Sequence, residues 1–384
     1  MNSAISSISP SATLAIAAAA KQLVAEGKRV CDFSVGEPDF DTPQSIKDAA
    51  ARALADGKTK YTPARGLPAL CSAISGKLKA ENNLEYAPSQ IIVSGGAKMS
   101  LATAFAALLN PGDEALIPAP YWLSYPEMVR LAGGVPVFVK GADETGFKIT
   151  PAQLEAAITP RTVVFVLNSP SNPTGLVYSR DEIAALAEVC LRHKLWIVAD
   201  EIYERMVYAG ETHTSVAAFS KEHYERTITI NGFSKAYAMT GWRLGYAAGP
   251  ASVISAMETV QSHLASAPAT FAQFGAIAAF KAEAEIQPML AAFAQRNELV
   301  YDLVSQIKGV VCKRPKGAFY VFPNIASFGL SSTEFANRLI KEKHVAAVPG
   351  VAFGADENIR FSYACSNDEI IEGMKRLKEF CESL

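Results

Sequence analysis

The chain has 384 residues, with 36 Lys and Arg against 38 Asp and Glu and a formal net charge of −2. Hydrophobic residues make up 49%, charged residues 19%, and mean hydropathy is +0.13. That balance excludes a mainly disordered chain, and the lack of a basic excess argues against general affinity for nucleic acid or anionic membrane. At roughly 100–200 residues per domain, the length suits two or three domains. The apolar run Leu14 to Ala20 is too short to span a bilayer, and no basic region followed by an apolar core and cleavage site opens the chain. A cytoplasmic setting is expected. The six cysteines form no Cys-x-x-Cys pair and the five histidines no ligand-spaced pair, so neither a disulfide framework nor a metal site is expected.

The predicted elements alternate along the chain. Residues 11–27 read as an Ala-rich amphipathic helix ended by Gly27, followed by a short strand Val30–Ser34 and a turn-rich loop, GEPDFDTP, at 36–43. A helix is expected over 44–57. Ile91–Val93 is an apolar strand entering Ser94-Gly95-Gly96, with a helix from Lys98 to Leu109. Further strands are Ala115–Ile117, Val135–Val139, Thr162–Leu167, Leu195–Ala199 and Thr227–Ile230, with helices over 151–158 and 179–193. Apolar strands separated by helices predict an α/β fold with a mostly parallel central sheet covered on both faces. Residues 250–310 are helical in pattern, including a long run over 284–307. The last part reads α+β: strands Val310–Cys312, Ala318–Phe322, Val345–Val348 and Ile359–Tyr363, helices 332–343 and 367–383. The expected division is a large domain over 45–295 and a smaller α+β domain made of 1–44 and 296–384, because chain ends of a two-lobed protein often meet.

Ligands of open α/β sheets bind beyond the C-terminal strand ends. Ser94-Gly95-Gly96-Ala97-Lys98 follows one strand, Asn168 to Gly175 the next, then Asp200-Glu201-Ile202-Tyr203, then Asn231 to Arg243 with Ser234 and Lys235. Singly, each has a bland alternative: an ordinary turn, a helix cap, a solvated charge. Together they put a phosphate-binding helix start, an Asn, an Asp, a Tyr, a Lys and an Arg on one rim. A phosphate would sit at the helix start and Arg243, and an aldehyde would condense with Lys235. A ring nitrogen would face Asp200, and a phenolic oxygen would accept from Asn172 and Tyr203. Pyridoxal 5'-phosphate carries all four groups.

Several motifs then stand in order: GEPDFDTP (36–43), KTKYTPARG (58–66), SGGAKMSL (94–101), PAPYWLSYPEM (118–128), NSPSNPTG (168–175), DEIYE (200–204), NGFSKAYAMTGWRLGY (231–246) and IRFSYA (359–364). With them the sequence resembles the fold-type I, class I/II aminotransferases over nearly its whole length. It is most similar to the bacterial and plastid-type aspartate aminotransferase branch, which includes prephenate-active members.

The resemblance implies that Lys235 is the covalent lysine and proton carrier, that Asp200 holds the ring nitrogen protonated, and that Tyr203 and Asn172 bond the phenolic oxygen. It implies that Trp122 stacks on the ring and that Ala97, Ser234 and Arg243 hold the phosphate. Tyr61 is implied to reach the phosphate of a neighbouring subunit, which makes the expected form a homodimer. Gly232 stands where the family often carries a hydroxyl, so one phosphate bond is expected to be absent. For the substrate, the resemblance implies that Arg360 clasps the α-carboxylate and that Gly36 lends its backbone. Lys98, helped by Ser11 and Thr13, is implied to read a side-chain carboxylate. The expected reaction is L-aspartate with 2-oxoglutarate, giving oxaloacetate and L-glutamate by a ping-pong cycle. Aromatic amino acids, alanine or prephenate stay open as alternatives, as does cysteine-conjugate β-lyase activity. Prephenate-active relatives tend to carry a basic residue where Ser9 stands here, which counts against that substrate.

Overall fold

The computed structural model describes residues 8, 10–141, 145–208 and 210–384. Ser9 lies outside them. The strands, in chain order, are β1 (Cys31–Asp32), β2 (Ile91–Ser94), β3 (Glu114–Ala119), β4 (Val135–Lys140), β5 (Thr162–Asn168), β6 (Trp196–Asp200), β7 (Thr227–Gly232), β8 (Gly245–Ala248), β9 (Tyr320–Val321), β10 (Val345–Ala346), β11 (Val348–Pro349) and β12 (Ile359–Ser362). Seven of them form one sheet in the order β2-β8-β7-β6-β5-β3-β4. Pairing is parallel from β4 through β7, and β8 runs antiparallel between β7 and β2. The mostly parallel α/β sheet expected from the alternating pattern is therefore present.

Local chemistry explains the covering helices. Ser179 caps the helix Arg180–Arg192 through a reciprocal pair with Glu182, and Thr150 does the same with Gln153 at Pro151–Ala157. Two apolar clusters flank the sheet. One gathers Ile92, Phe105, Ile117, Val166 and Ile228, the other Leu116, Phe165, Leu186 and Ile197. Alternate residues of one strand, such as Phe165 and Val166, enter opposite clusters, as the pleat requires.

The remaining strands form two small sheets. β1 pairs β10 in parallel, and β11-β12-β9 is antiparallel. The single strand expected over Val345–Val348 is therefore two strands, because the chain leaves β1 for β12 at Ala347. Val310–Cys312 is not a strand; Val311 makes one isolated bridge to Asn324. The helix Glu283–Ser305 runs unbroken across residue 295, the expected domain boundary. No helix of the described residues is long and apolar enough to cross a membrane.

Candidate active site

The strand register builds the site floor. Asn168 stands beside Asp200, and Asp200 beside Ile230, along one row of the sheet. Ser94, Gly245 and Gly232 align across β2, β8 and β7. Four loops thus leave one rim, and they line a cavity of about 360 Å³.

Asp200 is buried at the end of β6. Its Oδ2 accepts from Tyr125 Oη at 2.6 Å and its Oδ1 from the Ile202 amide at 3.3 Å. Burial pushes its carboxyl up to about 6, against the pull of the Tyr125 and Ile202 hydrogen bonds. Asn168 Nδ2 donates to the Asp200 carbonyl at 2.9 Å, and Asn168 Oδ1 accepts from the Asn172 amide at 3.0 Å. These bonds tie the Asn168–Gly175 loop to the Asp200 strand end.

Lys235 Nζ donates to the Gly36 carbonyl. Burial lowers the amine from 10.5 to about 8; Glu37 and Asp200 oppose the shift, while Arg360 and Arg243 add to it. A lysine so placed holds a useful fraction of neutral amine near neutral pH. Tyr203 Oη lies 2.9 Å from Tyr320 Oη.

Arg360 enters from β12 and is 2% exposed. Nη1 donates to Asn172 Oδ1 at 3.1 Å and Nη2 to the Ser34 carbonyl at 2.7 Å. Its guanidinium lies 4.7 Å from the Tyr320 ring centre and 5.0 Å from that of Phe353. Buried Nε has no partner, and no carboxylate pairs with this guanidinium among the described residues. A buried cation in that state is a seat for an anion.

Lys98 lies 5.0 Å over the Trp122 ring in the same cavity, and burial together with Arg243 lowers its amine.

The residues also fit a bound pyridoxal phosphate. Gly96 caps the helix Ala97–Leu108 at φ 93°, and a Cβ there would stand 2.5 Å from Arg243 Nη2. A Cβ on Gly245 would stand 2.2 Å from the Ala97 nitrogen. Two glycines thus leave a cradle open between a helix N-terminus and a guanidinium, which suits a phosphate. Arg243 Nη1 donates to the Thr240 carbonyl at 2.7 Å, and among the described residues no carboxylate pairs with this arginine. Gly232 lies where a Cβ would be 2.9 Å from Gly245 Cα, so the strand pair crowds any side chain there.

The cavity brings together the expected residues Ala97, Lys98, Trp122, Asn172, Asp200 and Tyr203. It also takes in Ser234, Lys235, Arg243, Gly36, Arg360 and Thr13, with Ser11. Tyr61 is apart from them: it is 95% exposed and does not line the cavity of its own chain. Sequence reasoning missed Tyr125, Tyr320 and Asn168 as site residues. Tyr125 and Tyr320 meet their partners 75 and 117 positions away, so no local pattern marks them. Behind the Asp200–Tyr203 turn, Glu201, Glu204 and His213 cluster closely enough for a cation. The Lys77 ammonium already pairs with Glu204 there.

Fold and site together place a buried lysine, a buried carboxylate and an arginine without a carboxylate partner among the described residues in one cavity at the rim of an α/β sheet. The family model described as aminotransferase class I and II matches residues 28–377, and the chain belongs to that family. It is 50% identical to an aspartate aminotransferase of Geobacillus stearothermophilus, over 99% of this chain and 98% of the relative. It is 48% identical to an aspartate/prephenate aminotransferase of Cereibacter sphaeroides, over 100% and 99%. A solved structure, the aspartate aminotransferase from Thermus thermophilus with maleate, superposes with a TM-score of 0.95 at 42% identity, covering 99% of each chain.

Proposed function

We propose that the chain, with pyridoxal 5'-phosphate, transfers the amino group of L-aspartate to 2-oxoglutarate in two half-reactions, releasing oxaloacetate and L-glutamate. The observation that carries this reading is that Arg360 and Lys98 line one cavity with Lys235, in addition to Arg243 on the phosphate side. A dicarboxylic amino acid has one carboxylate for Arg360 and one for Lys98.

When bound, the coenzyme supplies an aldehyde that condenses with an amine and a cationic ring that accepts the electron pair left by a departing α-proton. The protein's own groups do the rest. Ala97, Ser234 and Arg243 would hold the phosphate, and Trp122 would cover the ring. Asp200 would keep the ring nitrogen protonated, and Asn172 and Tyr203 would donate to the phenolic oxygen. Arg360 fixes the α-carboxylate, with the Gly36 backbone beside it. Lys98, with Thr13, receives the side-chain carboxylate. Lys235 Nζ, once free, takes the proton from the substrate Cα.

The same reading makes the enzyme a homodimer in which Tyr61 of each protomer serves the other's phosphate; its exposure outside its own cavity supports this. It also keeps 45–295 and 1–44 plus 296–384 as two lobes. Six free thiols support a reducing, cytoplasmic setting.

The test is a substrate panel on the coenzyme-loaded protein with no acceptor present. Aspartate and glutamate are expected to bleach the visible band at far lower concentrations than alanine or phenylalanine. Faster bleaching by either neutral amino acid refutes the specificity. A cysteine conjugate added alone, if it gives pyruvate in many-fold excess over active sites with release of its thiol, identifies a β-lyase instead. In a separate second stage, prephenate is added as acceptor to protein already bleached by aspartate, because the Cereibacter sphaeroides relative carries it in its name.

A further inference from the structure

Tyr320 belongs to none of the motifs singled out in the sequence, yet it touches three of the site's parts. It is 1% exposed and lines the cavity. Its hydroxyl lies 2.9 Å from Tyr203 Oη, and its ring centre 4.7 Å from the Arg360 guanidinium. A Cβ on Gly36 would stand 2.2 Å from the same hydroxyl, so the Gly36 backbone packs against it. The Tyr203 and Tyr320 rings meet edge to face at 85°, which fixes the angle between the two hydroxyls. Among the described residues, neither hydroxyl has another hydrogen-bond partner.

Either oxygen can donate in this pair. A phenol has one proton to give and lone pairs to accept with. If Tyr203 spends its proton on the coenzyme's phenolic oxygen, its oxygen is left to accept, and Tyr320 becomes the donor. We infer that Tyr320 is a positioning residue: it donates to Tyr203, holds that hydroxyl in one orientation, and strengthens the donation Tyr203 makes to the coenzyme. The inference rests on the coenzyme reading proposed above. Its physical basis is that hydrogen bonds in a chain polarise one another, most of all where water is absent.

The consequence is a shift in ionisation. Donation to the phenolic oxygen favours the form with more negative charge there, which is the deprotonated form of the chromophore on Lys235. The charged and titratable groups that face this pair are Lys235, 5.9 Å over the Tyr203 ring, Asp200 at the end of β6, and Arg360 from β12. Glu37 and Arg243 act on Lys235 from the flanking loops. Tyr320→Phe keeps all of these and removes only the hydroxyl.

The experiment titrates the visible absorbance of the coenzyme-loaded protein against pH in four forms: wild type, Tyr203→Phe, Tyr320→Phe and the double variant. Tyr203→Phe is expected to raise the midpoint. Tyr320→Phe is expected to raise it less, by about 0.5 pH unit or roughly threefold in proton affinity, and to add nothing in the Tyr203→Phe background. Maleate, a dicarboxylate probe, should bind Tyr320→Phe within about twofold of wild type, because the ring under Arg360 remains. The inference is overturned if Tyr203→Phe moves the midpoint while Tyr320→Phe leaves it within about 0.1 unit. It is also overturned if Tyr320→Phe shifts both backgrounds equally or weakens maleate strongly, since the residue would then act only on packing. If Tyr203→Phe itself moves nothing, the coenzyme reading falls and takes the inference with it.

Discussion

Lys98→Ala separates substrate specificity from chemistry. Lys98 sits on the first turn of the helix Ala97–Leu108, 5.0 Å over the Trp122 ring, and lines the cavity that holds Lys235 and Arg360. A hydrogen bond to a charged group contributes about 1.5–3 kcal/mol. Lys98 remains open to solvent on one side, so screening brings the expected value to the lower end, about 1.5 kcal/mol or roughly tenfold. The variant should therefore lose about tenfold in kcat/KM for aspartate and stay within about threefold for alanine, which has no second carboxylate. The assay is steady-state comparison of both amino acids with 2-oxoglutarate as acceptor. An equal loss for aspartate and alanine would mean that Lys98 supports the cofactor or the fold and reads no side chain. An unchanged aspartate rate would remove it from the site altogether.

Three further outcomes follow from the geometry. In the coenzyme-free protein only the neutral Lys235 amine condenses with an aldehyde, so the rate of coenzyme attachment should rise with pH to a plateau above about 8; a rate still climbing steeply at pH 10 would show an ordinary lysine. Asp200 is raised from 3.8 to about 6, so its ionised form weakens the coenzyme-free fold fully above about pH 6 and not at all below 3.8. Asp200→Asn should then stabilise the coenzyme-free protein to denaturant by about 2–3 kcal/mol at pH 8, with the difference shrinking as pH falls, while losing amino-transfer activity; a variant less stable at pH 8 refutes the buried-charge argument. Gly245→Ala places a methyl 2.2 Å from the Ala97 nitrogen, so dialysis should strip its coenzyme at least about tenfold faster than from wild type; equal retention would show that the cradle yields.

The parts of the fold that were legible are those written in local pattern. Apolar runs such as Thr162–Leu167 are strands because both sheet faces are covered. Their ends carry the site because the parallel order sends the following loops to one rim. What stayed hidden depends on distant partners. β8 is a run of Gly-Tyr-Ala-Ala, too short and small to announce itself, and it exists because β2 and β7 flank it on both sides. The helices Pro68–Asn82 and Ser124–Leu131 also escaped, the second because Pro126 lies in its first turn, where proline is tolerated. That Lys235, Asp200 and Arg360 would come together in one cavity was legible through motif order. Tyr125 and Tyr320, which tune two of the site's groups, were not, because tyrosines in apolar surroundings look like core.

One physical cause runs through the whole site. Burial raises Asp200 and lowers Lys235, so both groups move toward their neutral forms when nothing else is bound. Arg360 cannot neutralise in that way, and its Nε is left without a partner. On the reading proposed above, each group takes a complement: a cation for Asp200, an aldehyde for Lys235, a carboxylate for Arg360. Filling the site should therefore stabilise the protein as well as activate it. By the same reasoning, a carboxylate on Arg360 is held most tightly when the guanidinium cannot swing away, which its bonds to Asn172 and Ser34 prevent.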